Sequence, residues 1–179
     1  MIITKFKQRY HEPDRPKIRP ELTPVDWLIE CMAIVAILSF IGYSIYWFPR
    51  VPQIIPTHFN ANGEVNGYGN KISILILPGI AMLIYALFTV IARFPYNFNF
   101  AGKITPENAP RQYRLATRFI RILKTVIIII FFYICTMIIR TALNKTDRIG
   151  IWAVPGILGV MFIPLIVYLV VASRNEKLH

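Results

Sequence analysis

Residues 25–48 read VDWLIECMAIVAILSFIGYSIYWF. Two acids stand at the start of the run, and no charge follows Glu30 before Arg50. Crossing bilayer hydrocarbon takes about 20 helical residues, so the block is long enough to span. Trp27 and Trp47 bracket it, as interfacial aromatics do. Three further apolar blocks come after it, at about 72–92, 122–143 and 149–173. In lipid the backbone has no water to bond, so each block must be a helix. The predicted fold is all-α and integral to the membrane, with four transmembrane helices in two helical hairpins. One membrane domain, 25–173, is expected, with an outer loop at 49–71, an inner connection at 93–121, and tails at 1–24 and 174–179.

Composition agrees. The chain has 179 residues, 55% of them hydrophobic, and a mean hydropathy of +0.51. A soluble domain dilutes its apolar residues with polar surface, and this chain does not. The net charge of +11 would suggest nucleic acid in a soluble protein. Here the cations flank apolar blocks, so they are expected to set topology and touch anionic lipid, with no nucleic-acid partner. Cys31 and Cys135 lie inside apolar blocks and are read as reduced packing residues. The first block comes after a polar segment and lacks a small-residue cleavage signal, so it is read as a retained span.

Cation placement gives an orientation. Lys5, Lys7, Arg9, Arg15, Lys17 and Arg19 precede the first span. Arg93, Lys103, Arg111, Arg114, Arg118, Arg121 and Lys124 fill the middle connection and the start of the third span. The first connection has only Arg50 and Lys71, and the short last one Lys145 and Arg148. In a bacterial cytoplasmic membrane, the positive-inside rule then places both termini in the cytoplasm and residues 49–71 outside.

Thr105-Pro106-Glu107-Asn108 reads as a helix start well before the third span: a capping hydroxyl, a proline at the first position and an acid near the positive helix end. Arg111, Arg114, Arg118 and Arg121 recur at steps of 3, 4 and 3, which puts them on one basic face. The face serves as a positive-inside anchor or as a docking site for lipid or a partner. Asp26 and Glu30, one turn apart, are read as structurally paired at the interface, with a proton relay as the alternative, since an unpaired acid at mid-membrane costs about 3 kcal/mol and less at the edge. Arg118, Arg121 and Lys124 are the candidate partners. Leu77-Pro78-Gly79-Ile80 and Val154-Pro155-Gly156-Ile157 share a pattern that fits either a parallel repeat or two independent kinks.

The loop IPTHFNANGEVNGYGNK, residues 55–71, is polar yet patterned. Pro49, Pro52 and Pro56 stiffen its approach. Thr57–Asn60 alternates like a short strand, Asn62-Gly63 signals a tight turn, and 64–68 could return. Asn66-Gly67 and Gly69 read as further turns. Ile54, Ile55, Phe59, Val65 and Tyr68 are expected to bury against the helix ends, because an isolated hairpin is marginal in water.

The run Pro52-Gln53-Ile54-Ile55-Pro56-Thr57-His58-Phe59-Asn60-Ala61-Asn62-Gly63-Glu64, then Gly67-Tyr68-Gly69-Asn70-Lys71, resembles a bacterial membrane domain of unknown function. That domain forms the N-terminal part of SdpI-type immunity proteins, which protect a cell against its own sporulation-delaying peptide toxin. Lys103–Ala109 with Arg111-Gln112-Tyr113 is similar to the cytoplasmic segment of that family. The resemblance implies a membrane location and makes the loop the focus. Position 66 is Asn where the family usually carries Asp, which weakens any cation or proton role there. Four spans are fewer than the full immunity proteins carry.

Three functions are compatible with these residues. In the first, the outer loop of an immunity-like or sensory protein recognises a peptide, lipid or envelope ligand through His58, Asn60, Asn62, Glu64, Tyr68 and Lys71, held by Pro52, Pro56, Phe59, Gly63, Gly67 and Gly69. Against this stands a purely structural role in which His58 and Asn60 tie the loop to itself. In the second, the chain is a subunit of a transport or export complex, with a homodimer expected. The third, a metal-dependent membrane enzyme, finds no HExxH, no Ser-His-acid set and no phosphate-cradling glycine loop. No catalytic residue, metal ligand or cofactor is expected.

Overall fold

The computed structural model describes residues 15–100, 102–144 and 152–176. The cations Lys5, Lys7, Arg9, Lys145 and Arg148 lie outside the described residues, as do residues 1–14 and 177–179 of the tails.

Helix α1 covers Pro24–Trp47. It starts there because Thr23 and Asp26 form a capping box: the Asp26 carboxylate accepts the Thr23 N–H at 2.9 Å, and the Thr23 hydroxyl accepts the Asp26 N–H at 3.4 Å. Pro24 needs no partner in the first turn. After Phe48, Pro49 and Pro52 prevent the helix from continuing.

Strands β1 (Ile54–Phe59) and β2 (Val65–Asn70) pair antiparallel as a hairpin. Both strands are longer than the sequence pattern predicts. The turn also differs. Gly63 N–H bonds the Asn60 carbonyl at 2.9 Å, and Gly63 alone in this turn has positive φ, at 79°. Ala61-Asn62 therefore make the turn and Gly63 comes next in the left-handed region, the three-residue hairpin loop with a glycine bulge. Asn66-Gly67 and Gly69 are not turns. They lie inside β2, opposite β1.

Helix α2 covers Ser73–Ile91. A short 3-10 turn, Pro95–Asn97, leads toward helix α3, Ala109–Ala142. The Thr105 signal forms its bonds at the predicted place, but regular helix begins one turn later than predicted. Thr105 N–H bonds Asn108 Oδ1 at 2.9 Å, Asn108 N–H bonds Thr105 Oγ1 at 3.4 Å, and regular helix begins at Ala109. Helix α4 covers Ala153–Glu176. Pro78 lies inside α2 and is buried, whereas Pro155 sits in the exposed first turn of α4, where its missing N–H is no loss. The two Pro-Gly pairs thus do not occupy equivalent positions, and the interior proline of α4 is Pro164.

These four helices are long and apolar enough to cross a membrane, so the chain is a multi-pass membrane protein. Helix α3 is the spine: α1, α2, α4 and β1 all pack on it. At 34 residues it is about 51 Å long, against about 30 Å of hydrocarbon. The shared core joins Ile37 and Phe40 of α1, Ile74 and Ala81 of α2, and Ile128, Ile138 and Ile139 of α3. Phe40 stacks on Phe132 with ring centroids 5.2 Å apart. Cys135 is buried beside Ser44, while Cys31 is exposed rather than a packing residue, and neither is in a disulfide. A second small core, Ile104, Ala109 and Tyr113 with Tyr96 and Phe100, orders the connector ahead of α3.

Candidate functional site at the hairpin

The hairpin is fastened by few residues. Ile55 is fully buried in the shared core, Pro56 is buried, and Phe59 and Val65 are half-buried. Ile54 and Tyr68, predicted to be buried, are instead 67% and 68% exposed. The pairing register shifts between Pro56 and Phe59, and neighbouring Ile55 and Pro56 are both buried.

Gly67 and Gly69 serve cross-strand contact. A Cβ on Gly67 would lie 2.9 Å from the His58 Cβ, and one on Gly69 would lie 2.9 Å from Thr57 Cγ2. The strands pair closely only because both positions lack side chains.

The polar residues divide into two groups. Asn60 is consumed by the turn: its Oδ1 accepts the N–H groups of Asn62 and Glu64, both at 2.9 Å, and its Nδ2 donates to Glu64 Oε2 at 2.9 Å. Asn70 Oδ1 accepts the Ile72 N–H and so steers the chain into α2. Lys71 stands over the Phe48 ring, 4.9 Å from its centroid. The second group faces outward. His58, Asn62, Glu64, Asn66 and Tyr68 are exposed. His58 Nδ1 and Asn66 Oδ1 lie 2.5 Å apart across the strands. This bond ties the imidazole of β1 to the amide of β2 through Nδ1. Sequence reasoning did not include Asn66 among the binding residues, although it orients His58.

The predicted basic face is divided at the other end of the bundle. Arg111 and Arg114 are exposed, but Arg118 and Arg121 turn into a buried charge network. Arg118 Nε donates to Asp26 Oδ1 at 2.8 Å, and its Nη2 donates to the Thr23 hydroxyl at 2.9 Å. Arg121 Nε pairs with Glu30 Oε1 at 3.2 Å. Lys124, fully buried, donates to both Glu30 oxygens at 3.0 and 2.7 Å and to Thr89 Oγ1 at 2.8 Å. Its Nζ also lies 4.3 Å from the Tyr85 ring centroid. The four arginines are therefore not one free surface; burial of Asp26 and Glu30 claims two of them. Thr89 and Tyr85 escaped sequence reasoning, since a hydroxyl and an aromatic ring inside an apolar block look like ordinary span residues.

Among the described residues no three His, Cys, Asp or Glu side chains converge as metal ligands. The hairpin surface offers hydrogen-bond donors and acceptors, one imidazole and exposed apolar groups.

A family profile described as "Domain of unknown function (DUF1648)" matches residues 34–82. Those residues run from within α1 across the whole hairpin into α2. An uncharacterized protein of Archaeoglobus fulgidus is 31% identical over 88 residues, covering 41% of this chain. The match takes in 48% of the relative's own length, so the chain spans about half of it. No solved structure matches the chain.

Proposed function

We propose that this multi-pass protein displays its hairpin on the outer face of a bacterial cell membrane as a recognition element for a peptide, lipid or envelope ligand, in an immunity-like or sensory role. The observation that carries the reading is the contrast within the hairpin. Ile55 and Pro56 anchor it, while His58, Asn66, Tyr68 and Ile54 project uncovered from a backbone that glycines hold tight. A rigid platform with exposed aromatic and polar groups binds at low ordering cost. The His58–Asn66 bond sharpens it by holding the imidazole in place across the strands. The profile match and the resemblance to SdpI-type immunity proteins both centre on this segment and support its choice.

A photo-crosslinking residue in place of Tyr68, in native cells, tests the proposal. The expected result is capture of a peptide or lipid-linked molecule, lost on His58→Ala. Capture of nothing but the chain's own helices would reduce the hairpin to a structural cap. Orientation is checked separately: Asn62→Cys, with Cys31 and Cys135 replaced by Ser, should react with an impermeant thiol reagent added outside intact cells.

A second reading, a subunit of a membrane transport or export complex or of a homodimer, rests on α4. That helix packs chiefly on α3, and no residue of its apolar window is buried. A single-copy particle in lipid nanodiscs would count against it.

A further inference from the structure

At the basic end the connector, the first turn of α3 and the last turns of α4 enclose a half-open cavity of about 830 Å³. That is within the roughly 300–1,000 Å³ of pockets that hold small molecules. Its walls differ. Asn99, Lys103 and Gln112 supply polar groups from the connector and α3. Leu169, Val170 and Ala172 supply an apolar wall from α4. Tyr168, the residue below, is pinned by stacking on Phe119 with centroids 4.6 Å apart.

The cavity's depth is set by the helices. The apolar part of α4 ends at Arg174, and Tyr168 to Ser173 form its last turn and a half. The apolar run of α3 begins at about Ile122, ten residues and about 15 Å after Gln112, so Gln112 in the first turn lies beyond the acyl region. The cavity therefore straddles the boundary between hydrocarbon and headgroups, with polar groups on the water side.

Its charge is one-signed. Lys103 is exposed, and Arg111, also exposed, is one residue before the lining Gln112 on the same helix turn. Among the described residues no acid lines the cavity. Glu107, the neighbouring carboxylate, is held below its ordinary range by the Thr105 hydroxyl and does not line it. The second core of Ile104, Ala109 and Tyr113 fixes the polar wall from behind.

We infer that this cavity holds one anionic phospholipid, its phosphate headgroup on Lys103 and Gln112 and its acyl chain against Leu169 and Val170 of α4. The joint demand for a cation and an apolar wall at the interface selects a lipid over a free phosphate, which has nothing to place against α4. The assignment is independent of the ligand at the hairpin.

The test is native mass spectrometry of the full chain released from nanodiscs of phosphatidylglycerol mixed with phosphatidylcholine. One phosphatidylglycerol should stay bound after most lipid is stripped. Lys103→Ala should weaken its retention about fivefold, the scale for one basic residue at a membrane surface. Arg93→Ala, an exposed cation at the same end that does not line the cavity, should leave it unchanged. Leu169→Asp should also eject the lipid, and circular dichroism of each variant must stay helical for the result to count. Equal retention of both lipids, or equal loss in Lys103→Ala and Arg93→Ala, would overturn the site. Competition by glycerol phosphate at the affinity of the lipid would reassign it to free phosphate. A photo-crosslinker at Gln112 that captures residues 1–14 rather than lipid would make the chain's own N-terminal segment the occupant.

Discussion

At the basic end of the bundle, α1, α2 and α3 are joined by Asp26, Glu30, Arg118, Arg121 and Lys124, with Thr89 of α2 drawn in through Lys124. At the hairpin end, the same helices are capped by backbone pairing, a handful of buried apolar residues and glycines that let two strands touch. The first arrangement buries its polar groups and leaves little for a ligand to reach. The second spends its polar groups on the surface. The residues most costly to disturb thus lie in the charge network at one end of the bundle, and the exposed polar groups of the hairpin at the other.

The contrast between the ends meets its severest test at Glu30. Glu30→Ala leaves the fully buried Lys124 with only the Thr89 hydroxyl and the Tyr85 ring, and should cost about 3–5 kcal/mol in reversible denaturant unfolding in detergent. Asp26→Ala should cost less, about 1–3 kcal/mol, because the partner Arg118 has a third of its side chain exposed and can turn to water. At the hairpin end Gly67→Ala should cost about 1–3 kcal/mol, since the contact it meets is the stiff Cβ of His58. Gly69→Ala should cost a similar amount, as the β-branched Thr57 presents both Cγ2 and Oγ1 to it, at 2.9 and 3.2 Å. Last, His58→Ala and Tyr68→Ala should stay within about 0.5 kcal/mol of the parent, as exposed positions do. A large stability loss at His58 would erase the distinction between the two ends.

Part of this architecture was legible in the sequence. The four helices were, because hydrocarbon demands long apolar blocks and tolerates little else. The partners of Asp26 and Glu30 were also legible, because burial leaves an acid few choices and only three cations stood at matching depth. The hairpin's detail was not. Asn-Gly and Gly-Tyr-Gly read alike as turns, whereas only Asn62-Gly63 lies in the turn, and Gly67 and Gly69 answer to side chains on the facing strand. Local pattern cannot register a neighbour that pairing alone supplies. The basic face failed similarly. Helical spacing placed four arginines together, but the depth of Asp26 and Glu30 decided that two of them would turn inward. The connector's aromatics, Tyr96 and Phe100, gave no periodic signal, so the core they build with Tyr113 escaped notice.

The charge network also imposes an order in time. Asp26 and Arg118 are 92 residues apart, and Glu30 and Lys124 are 94 apart. At a synthesis rate of about 5–20 residues per second, α1 leaves the ribosome roughly 5–20 s before its partners exist. During that interval both carboxylates meet the bilayer edge without a cation from α3. The first span is thus an incomplete element that must be held near water or by the insertion machinery until the third arrives. Replacing both acids with Leu should let α1 enter lipid earlier, at the cost of leaving Lys124 and Arg121 with no acid to meet.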